Sequence, residues 1–368
     1  MTKISYITIN IKKDFPYFGR PDLHLFEPTL ESFKRQKMEN IEWVVVDTRY
    51  EERKDYFKNL DLPFVVKHVP ANNVFLDNAL PGVSREFNRG IIHSDGELLF
   101  FSVDGFMFDS SFFEKLWSRY QSGYFPMCWY LIDWSFGSDE AVGMYRVGVS
   151  AKDLGLSYNF SGYTGKFVEP DQRYNYFKDK DVDFLPPWTW WFACGSASLE
   201  AVLDLNGWDQ SFDGDKTVMD VDFGSRLNLA RFGVRTALFR DLVLVRAPST
   251  HSVFKSSPSI KCNYALIELN RHLRRYEANR EKITDNDVSW IKDVFCEGVC
   301  GSRDFCRKNH KWQFPFQHRR HVEQGGHGSS QKWFDFWLEH QELIDLREER
   351  KLRIEGKKYM EGTFVGKS

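Results

Sequence analysis

Four apolar, β-branched runs separated by helical segments occupy the first 105 residues. This alternation constrains the fold more than any other feature of the chain. Ile4–Asn10 (ISYITIN), Ile41–Asp47 (IEWVVVD), Pro63–Val69 (PFVVKHV) and Glu97–Asp104 (ELLFFSVD) each read as a buried strand. Between them Leu23–Lys37, Glu51–Asn59 and Val83–His93 read as helices: Leu23, Phe26, Leu30 and Phe33 fall near one face of the first, and Phe87 and Ile91 lie four apart in the third. Repeated βα units of this length predict a mostly parallel sheet with helices on both faces. Ligands of such sheets bind outside the carboxyl ends of the strands. Asp47 and Asp104 each close a strand, which makes both candidate site residues.

Beyond residue 105 the pattern loosens. Phe106–Trp191 is read as an irregular stretch rich in aromatics and turn residues. Regularity returns with a helix near Ser198–Leu205, a turn at Asn206–Gly207 and a helix over about Val218–Phe232. Val234–Phe239 and Leu242–Arg246 are strand-like, and after about Ser256 the chain becomes charged and helical in Tyr264–Arg280 and Lys332–Lys357. The expected organisation is an α/β domain over 1–255, made of a nucleotide-binding half (1–105) and an acceptor half (106–255). A mainly helical C-terminal extension would follow over 256–368.

Charge narrows the function. With 50 basic and 52 acidic residues the net charge is −2, which offers no global field for a nucleic-acid backbone. No run approaches the ~18 apolar residues of a membrane span. The opening MTKISYITINIKKD is strand-like and then charged rather than a signal peptide, so a cytoplasmic location with reduced cysteines is the expectation.

Several acids can carry chemistry. Asp104, followed by Gly105, is able to reach a divalent cation holding a diphosphate; the alternative is a turn acid capping the helix near Asp109–Ser111. Asp220 and Asp222 in VMDVDFGSRL lie at a helix start. There they either satisfy the helix dipole or supply a general base. His251 in RAPSTHSVF gains meaning as a ligand only beside a carboxylate site.

The order of the segments is more specific than any one of them. SREFNRGIIHSDGELLFFSVDG, then FACGSASLEAVLDLNGWDQSFDG, then MDVDFGSRLNLARFG, resembles the family 2-like glycosyltransferases of the GT-A fold, over about residues 1–255. Asn88, Gly90 and Ile91 fit that family's N-x-G-I helix, and Gly96-Glu97 its following strand. Ser102-Val103-Asp104 takes the place of D-x-D, Gly195 that of the small-residue segment, and Gly207-Trp208-Asp209 that of the G-W-D turn. Met219-Asp220-Val221-Asp222 takes the place of E-D-x-D, with Gly233–Arg235 and His251 behind it. Three acids of the pattern are replaced, by Ser102, Gln210 and Met219.

The resemblance implies a Rossmann-like GT-A fold and a hexosyltransferase activity that moves a sugar from a nucleotide-sugar donor, UDP-linked, to a glycan or other hydroxyl acceptor with inversion. It implies donor contacts from Thr8, Asn10, Asp47, Arg85 and Asp104, and a metal, Mn²⁺ or Mg²⁺, on Asp104 and His251. It also implies Asp220 as base, with Trp190, Trp191, Gly195 and Asp222 on the acceptor side. A catalytically degenerate copy that binds glycans or serves as a scaffold is the alternative. A nucleotidyltransferase would need a Gly-rich phosphate loop after the first strand, which IKKDFPYFGRPD does not supply.

Two further features lie outside those motifs. Residues 100–191 hold 26 aromatics in 92 positions, more than twice the density elsewhere. Most are expected to form core, and Trp188, Trp190 and Trp191 are the candidates for a sugar platform. Cys296, Cys300, Cys306 and His310 are spaced C-x3-C-x5-C-x3-H, within a segment 296–321 that also holds His318 and His321. Three thiolates and an imidazole suit a structural Zn²⁺; the alternative is three unlinked thiols.

Overall fold

The computed structural model describes residues 2–10, 27–71, 83–103, 105–133, 168–170, 181–184, 194–210, 219–229, 235–246 and 344–357. Ten strands among them form one sheet: β1 (Ile4–Asn10), β2 (Ile41–Asp47), β3 (Val65–Pro70), β4 (Leu98–Val103), β5 (Phe106–Met107), β6 (Tyr124–Asp133), β7 (Val168–Pro170), β8 (Val182–Phe184), β9 (Gly195–Ser198) and β10 (Arg235–Arg246). The helices are α1 (Glu27–Lys34), α2 (Tyr50–Lys58), α3 (Val83–His93), α4 (Phe112–Gln121), α5 (Leu199–Asp204), α6 (Met219–Leu229) and α7 (Leu346–Ile354).

The order β3-β2-β1-β4-β9-β6-β10-β5 has a parallel half, β3-β2-β1-β4. Then β9 runs antiparallel between β4 and β6, and β10 returns parallel to β6. All seven residues of β1 and of β2 are buried. That explains their unbroken apolar runs, since a parallel strand is covered on both faces. β1 pairs with β2 on one side and β4 on the other, so the order reverses at β1 and β4. A reversal of this kind opens a crevice at the carboxyl ends.

Tyr6 organises the core on the α1 and α4 side. Its ring stacks on Phe33 at 5.5 Å and on Phe100 at 5.3 Å, and meets Phe108 edge-on at 5.6 Å. Phe87, Phe101, Trp208 and Phe223 form the aromatic cluster around α3 and α6. The described aromatics at 100–113 are therefore core: Phe100, Phe101, Phe106, Phe108, Phe112 and Phe113 are all buried.

Helix α3 buries every residue from Val83 to Ile92, including Arg85, Glu86, Asn88 and Arg89. Its apolar face meets β1 and β2, and α7 packs against it as well. Gly90 permits the close approach to the sheet, because a Cβ there would run into the Ile7 side chain.

Two sequence expectations change. The stretch read as irregular contains α4 and β6; the apolar stripe of Phe112, Phe113 and Leu116 was obscured by the surrounding aromatics. The two strand-like runs near the end of the domain are one strand, β10, whose pairing with β6 shifts register between Leu238 and Val243. That bulge exposes Arg240 and Asp241, and their polarity made one strand look like two.

Candidate active site

Register brings Asn10 opposite Asp47 at the ends of β1 and β2. The Asp47 side chain is fully buried. Its Oδ1 accepts from the Arg49 amide at 2.9 Å and from Arg53 Nη1 at 3.1 Å; its Oδ2 lies 3.2 Å from Arg53 Nη1 and 3.0 Å from His68 Nε2. Facing a carboxylate, Nε2 carries the hydrogen and donates it. The His68 ring stacks on Phe57, at 4.2 Å, and meets Tyr50 at a tilt, at 4.6 Å. Burial pushes the Asp47 carboxyl up, but the His68 hydrogen bond, the Arg53 charge and the Arg49 amide outweigh it and hold the pKa below its ordinary value. The acid expected to face a nucleotide base is thus ligated by the protein itself.

Asn10 differs. It is 4% exposed, and neither end of its carboxamide has a hydrogen-bond partner among the described residues. A buried amide left so is costly unless something meets it. The Thr8 hydroxyl, by contrast, accepts from the Trp43 indole at 2.8 Å. Arg85 is buried in the first turn of α3.

Ser102, in the first position of the D-x-D place, is fully buried and its hydroxyl lies 2.5 Å from the Tyr6 hydroxyl. The hydroxyl is thus turned toward Tyr6 and the aromatic core. Among the described residues no group of three or more His, Cys, Asp or Glu is placed to hold a metal ion. Asp104, Trp190, Trp191, His251, Cys296, Cys300, Cys306 and His310 lie outside the described residues, as does Trp188.

The acids of α6 separate. Asp220 is half-buried in the first turn. Asp222 is buried and accepts from Arg226 Nε at 2.8 Å, one turn on. Phe223, three residues after Asp220, packs on Phe101, three residues before Asp104, at 6.1 Å. That contact brings α6 against the carboxyl-terminal half of β4. Gly195 lies in β9, paired with Phe101 and Met127.

Sequence reading missed Arg53, His68 and Arg226. Only Arg226 had a local signal, its i+4 spacing from Asp222. His68 reaches Asp47 through pairing of β2 with β3, which no local pattern shows.

No family model matches the chain, and no curated protein matches it. Among solved structures it is similar to S. aureus TarS, at a TM-score of 0.43 and 12% identity over 80% of this chain and 43% of that one. It is also similar to S. aureus TarS 1-349 in complex with UDP-GlcNAc, at a TM-score of 0.45 and 13% identity over 97% of this chain and 93% of that one. For S. aureus TarS 1-349 alone the TM-score is 0.43, with 12% identity over 87% and 77%. The chain spans less than half the length of the first of these structures. Among the described residues no helix is long and apolar enough to cross a membrane.

Proposed function

We propose that the chain is a glycosyltransferase of GT-A type that moves a sugar from a nucleotide-sugar donor, UDP-linked, to a hydroxyl acceptor. One observation carries this reading. Helix α6, with Asp220 in its first turn, packs through Phe223 onto Phe101 of β4, one of the two strands at which the sheet order reverses. The reading takes Asp220, one turn before Phe223, as the proton acceptor beside the crevice in which an α/β sheet holds its ligand.

In this proposal the donor lies across the ends of β1, β2 and β4. Asn10 and Arg85 meet it, and Asp47 holds Arg53 and His68 in place around it. The acceptor hydroxyl gives its proton to Asp220 and its oxygen attacks the anomeric carbon. The bond to the diphosphate breaks, the nucleoside diphosphate takes the electron pair, and configuration inverts. Asp104 and His251 would hold Mn²⁺ or Mg²⁺, which supplies positive charge for the diphosphate. Trp190 and Trp191 would border the acceptor. Cys296, Cys300, Cys306 and His310 would bind Zn²⁺ as a structural staple.

A second reading, a catalytically silent glycan-binding or scaffold protein on the same fold, is favoured by one observation: Ser102 stands where the family has an acid and turns into the core. Thermal shift with UDP and UDP-GlcNAc, with and without Mn²⁺, followed by UDP release from wild type and D220N, separates the two. An enzyme shows stabilisation by nucleotide, and D220N retains that stabilisation while losing turnover by about 10²–10⁴-fold. If no nucleotide or nucleotide sugar stabilises the fold, the donor reading fails. Unaltered UDP release by D220N removes Asp220 as base.

A further inference from the structure

Four consecutive residues, Leu205 to Trp208, are held by side chains from two helices and joined to the C-terminal segment. Arg226 of α6 donates through Nη1 to the carbonyls of Leu205, at 3.1 Å, and Gly207, at 2.9 Å. Asn88 of α3 donates through Nδ2 to the Trp208 carbonyl and accepts from its amide, both at 2.8 Å. Asn206, between Arg226's two acceptors, turns its own carboxamide the other way. Its Nδ2 donates to the Ile344 carbonyl at 2.7 Å, and its Oδ1 accepts from the Leu346 amide at 2.9 Å. Asn206 and Gly207 sit at φ +55° and +69°, a turn that places those carbonyls where one guanidinium takes both.

All these groups are buried: Arg226 is 1% exposed, Asn88 2% and Asn206 5%. Arg226 is in turn bonded to Asp222, two residues from Asp220 in the same helical turn. The other side of the turn is equally constrained, because the Trp208 ring stacks between Phe223 of α6, at 4.5 Å, and Phe87 of α3, at 4.7 Å. Arg226 Nη2 is buried with no hydrogen-bond partner among the described residues, so Nε and Nη1 hold the guanidinium in place. In a buried network that shares donors and acceptors this closely, removing a member loosens the rest.

We propose that Asn206 is a positioning residue for the acid helix. By clasping the 344–346 backbone it fixes the turn whose carbonyls hold Arg226, and through Arg226 and Asp222 it sets the first turn of α6 and Asp220. The consequence for catalysis rests on the reading of Asp220 as the base given above. The C-terminal helix α7 is therefore part of the machinery that aims the base, although more than 120 residues separate it from Asp220.

The test compares wild type, N206G, N206D and D220N by hydrogen exchange and by UDP release from UDP-GlcNAc. Glycine accepts the left-handed turn and removes the clasp. Aspartate also tolerates the turn, and it keeps the acceptor for Leu346 while facing the Ile344 carbonyl with a second oxygen, so it serves where N206G folds poorly. Amides 223–229 are expected to exchange about tenfold faster in both Asn206 variants, with β1 unchanged. kcat is expected to fall about tenfold and the KM for UDP-GlcNAc to stay within about twofold. Wild-type exchange in α6 overturns the proposal whether or not UDP-GlcNAc is turned over. Faster exchange spread evenly across the sheet overturns it too, as general destabilisation. Wild-type kcat in the Asn206 variants beside an inactive D220N removes the positioning role. D220N at the wild-type rate overturns the assignment of the base instead, and does so without reference to any Asn206 variant.

Discussion

The Asn88 carboxamide satisfies both backbone polar groups of Trp208, 120 residues away, with two hydrogen bonds of 2.8 Å. Gly207 makes this approach feasible. A Cβ at Gly207 would collide with Asn88 Oδ1 and Leu346 Cδ1, on a backbone already at φ +69°. Gly207→Ala is expected to destabilise the fold by about 3 kcal/mol, from left-handed strain plus displacement of the clamp. Gly123, at φ +87° with no atom of the described residues within 4 Å of where a Cβ would stand, supplies the control. Gly123→Ala should cost only the strain, about 1 kcal/mol. Urea unfolding of the two variants measures the difference.

Ser102 separates two explanations of the altered D-x-D place. If the serine were a weakened metal ligand, Ser102→Asp would restore affinity for Mn²⁺. The structure buries the hydroxyl against Tyr6 beneath the aromatic core. Ser102→Asp should therefore destabilise by about 3 kcal/mol, as a larger, charged group forced into a fully buried position. Ser102→Ala should cost less, about 1 kcal/mol for the hydrogen bond with Tyr6. Unfolding curves for both variants test this; a stable Ser102→Asp protein with Mn²⁺-dependent stabilisation would refute it.

Two arginines of α7 make opposite predictions. Arg350 is buried, and its Nη1 donates to the carbonyls of Ile91, at 2.7 Å, and Ser94, at the open end of α3. Burial lowers its pKa, with the Arg353 charge next in effect. Arginine nonetheless stays charged, and a cation is favourable at a helix C-terminus. Arg350→Ala is expected to cost about 2–4 kcal/mol, because the carbonyls lose their donor under cover. Arg347 pairs with Glu200 and Asp204 in the open, and Arg347→Ala should cost at most about 1 kcal/mol. Melting temperatures of the two variants rank them.

Acid should weaken the fold through Asp47. Its carboxyl binds a proton less readily folded than unfolded, despite the opposing effect of burial. The unfolded chain therefore takes up more protons on acidification. The stabilisation is fully present above about pH 4, the ordinary carboxylate range, and is lost as pH falls through the lower folded value. Asp47→Asn is expected to be about 2–4 kcal/mol less stable than wild type at pH 7, since Arg53 and His68 lose their buried partner. The gap should narrow below about pH 4. A gap that stays constant down to pH 2 would show that the charge of Asp47 contributes nothing.

Much of the parallel half is legible in the sequence. Ile4–Asn10, Ile41–Asp47 and Val83–His93 match their elements residue for residue. Each is long, strongly patterned and bounded by turn residues, so local preference and tertiary burial agree. The aromatic-rich middle was illegible for the opposite reason: Phe, Tyr and Trp pack equally well on strands and helices, and their density hides the period that distinguishes α4 from β6. In the candidate site, Asp47 was found because a carboxylate ends an apolar run, and Asp220 and Asp222 because they open a helix.

The sequence by itself determined the βα alternation, the parallel pairing that follows from it and the strand ends at which acids collect, since these depend on patterns within about a dozen residues. Only the tertiary structure decided what the acids do. It enclosed Asp47 with Arg53 and His68, turned Ser102 onto Tyr6, paired Asp222 with Arg226 and left the Asn10 carboxamide without a partner among the described residues. It also joined residue 206 to residues 344 and 346. Those outcomes depend on which side chains meet across elements far apart in the chain. A hydrogen bond between such partners leaves no periodicity in the sequence.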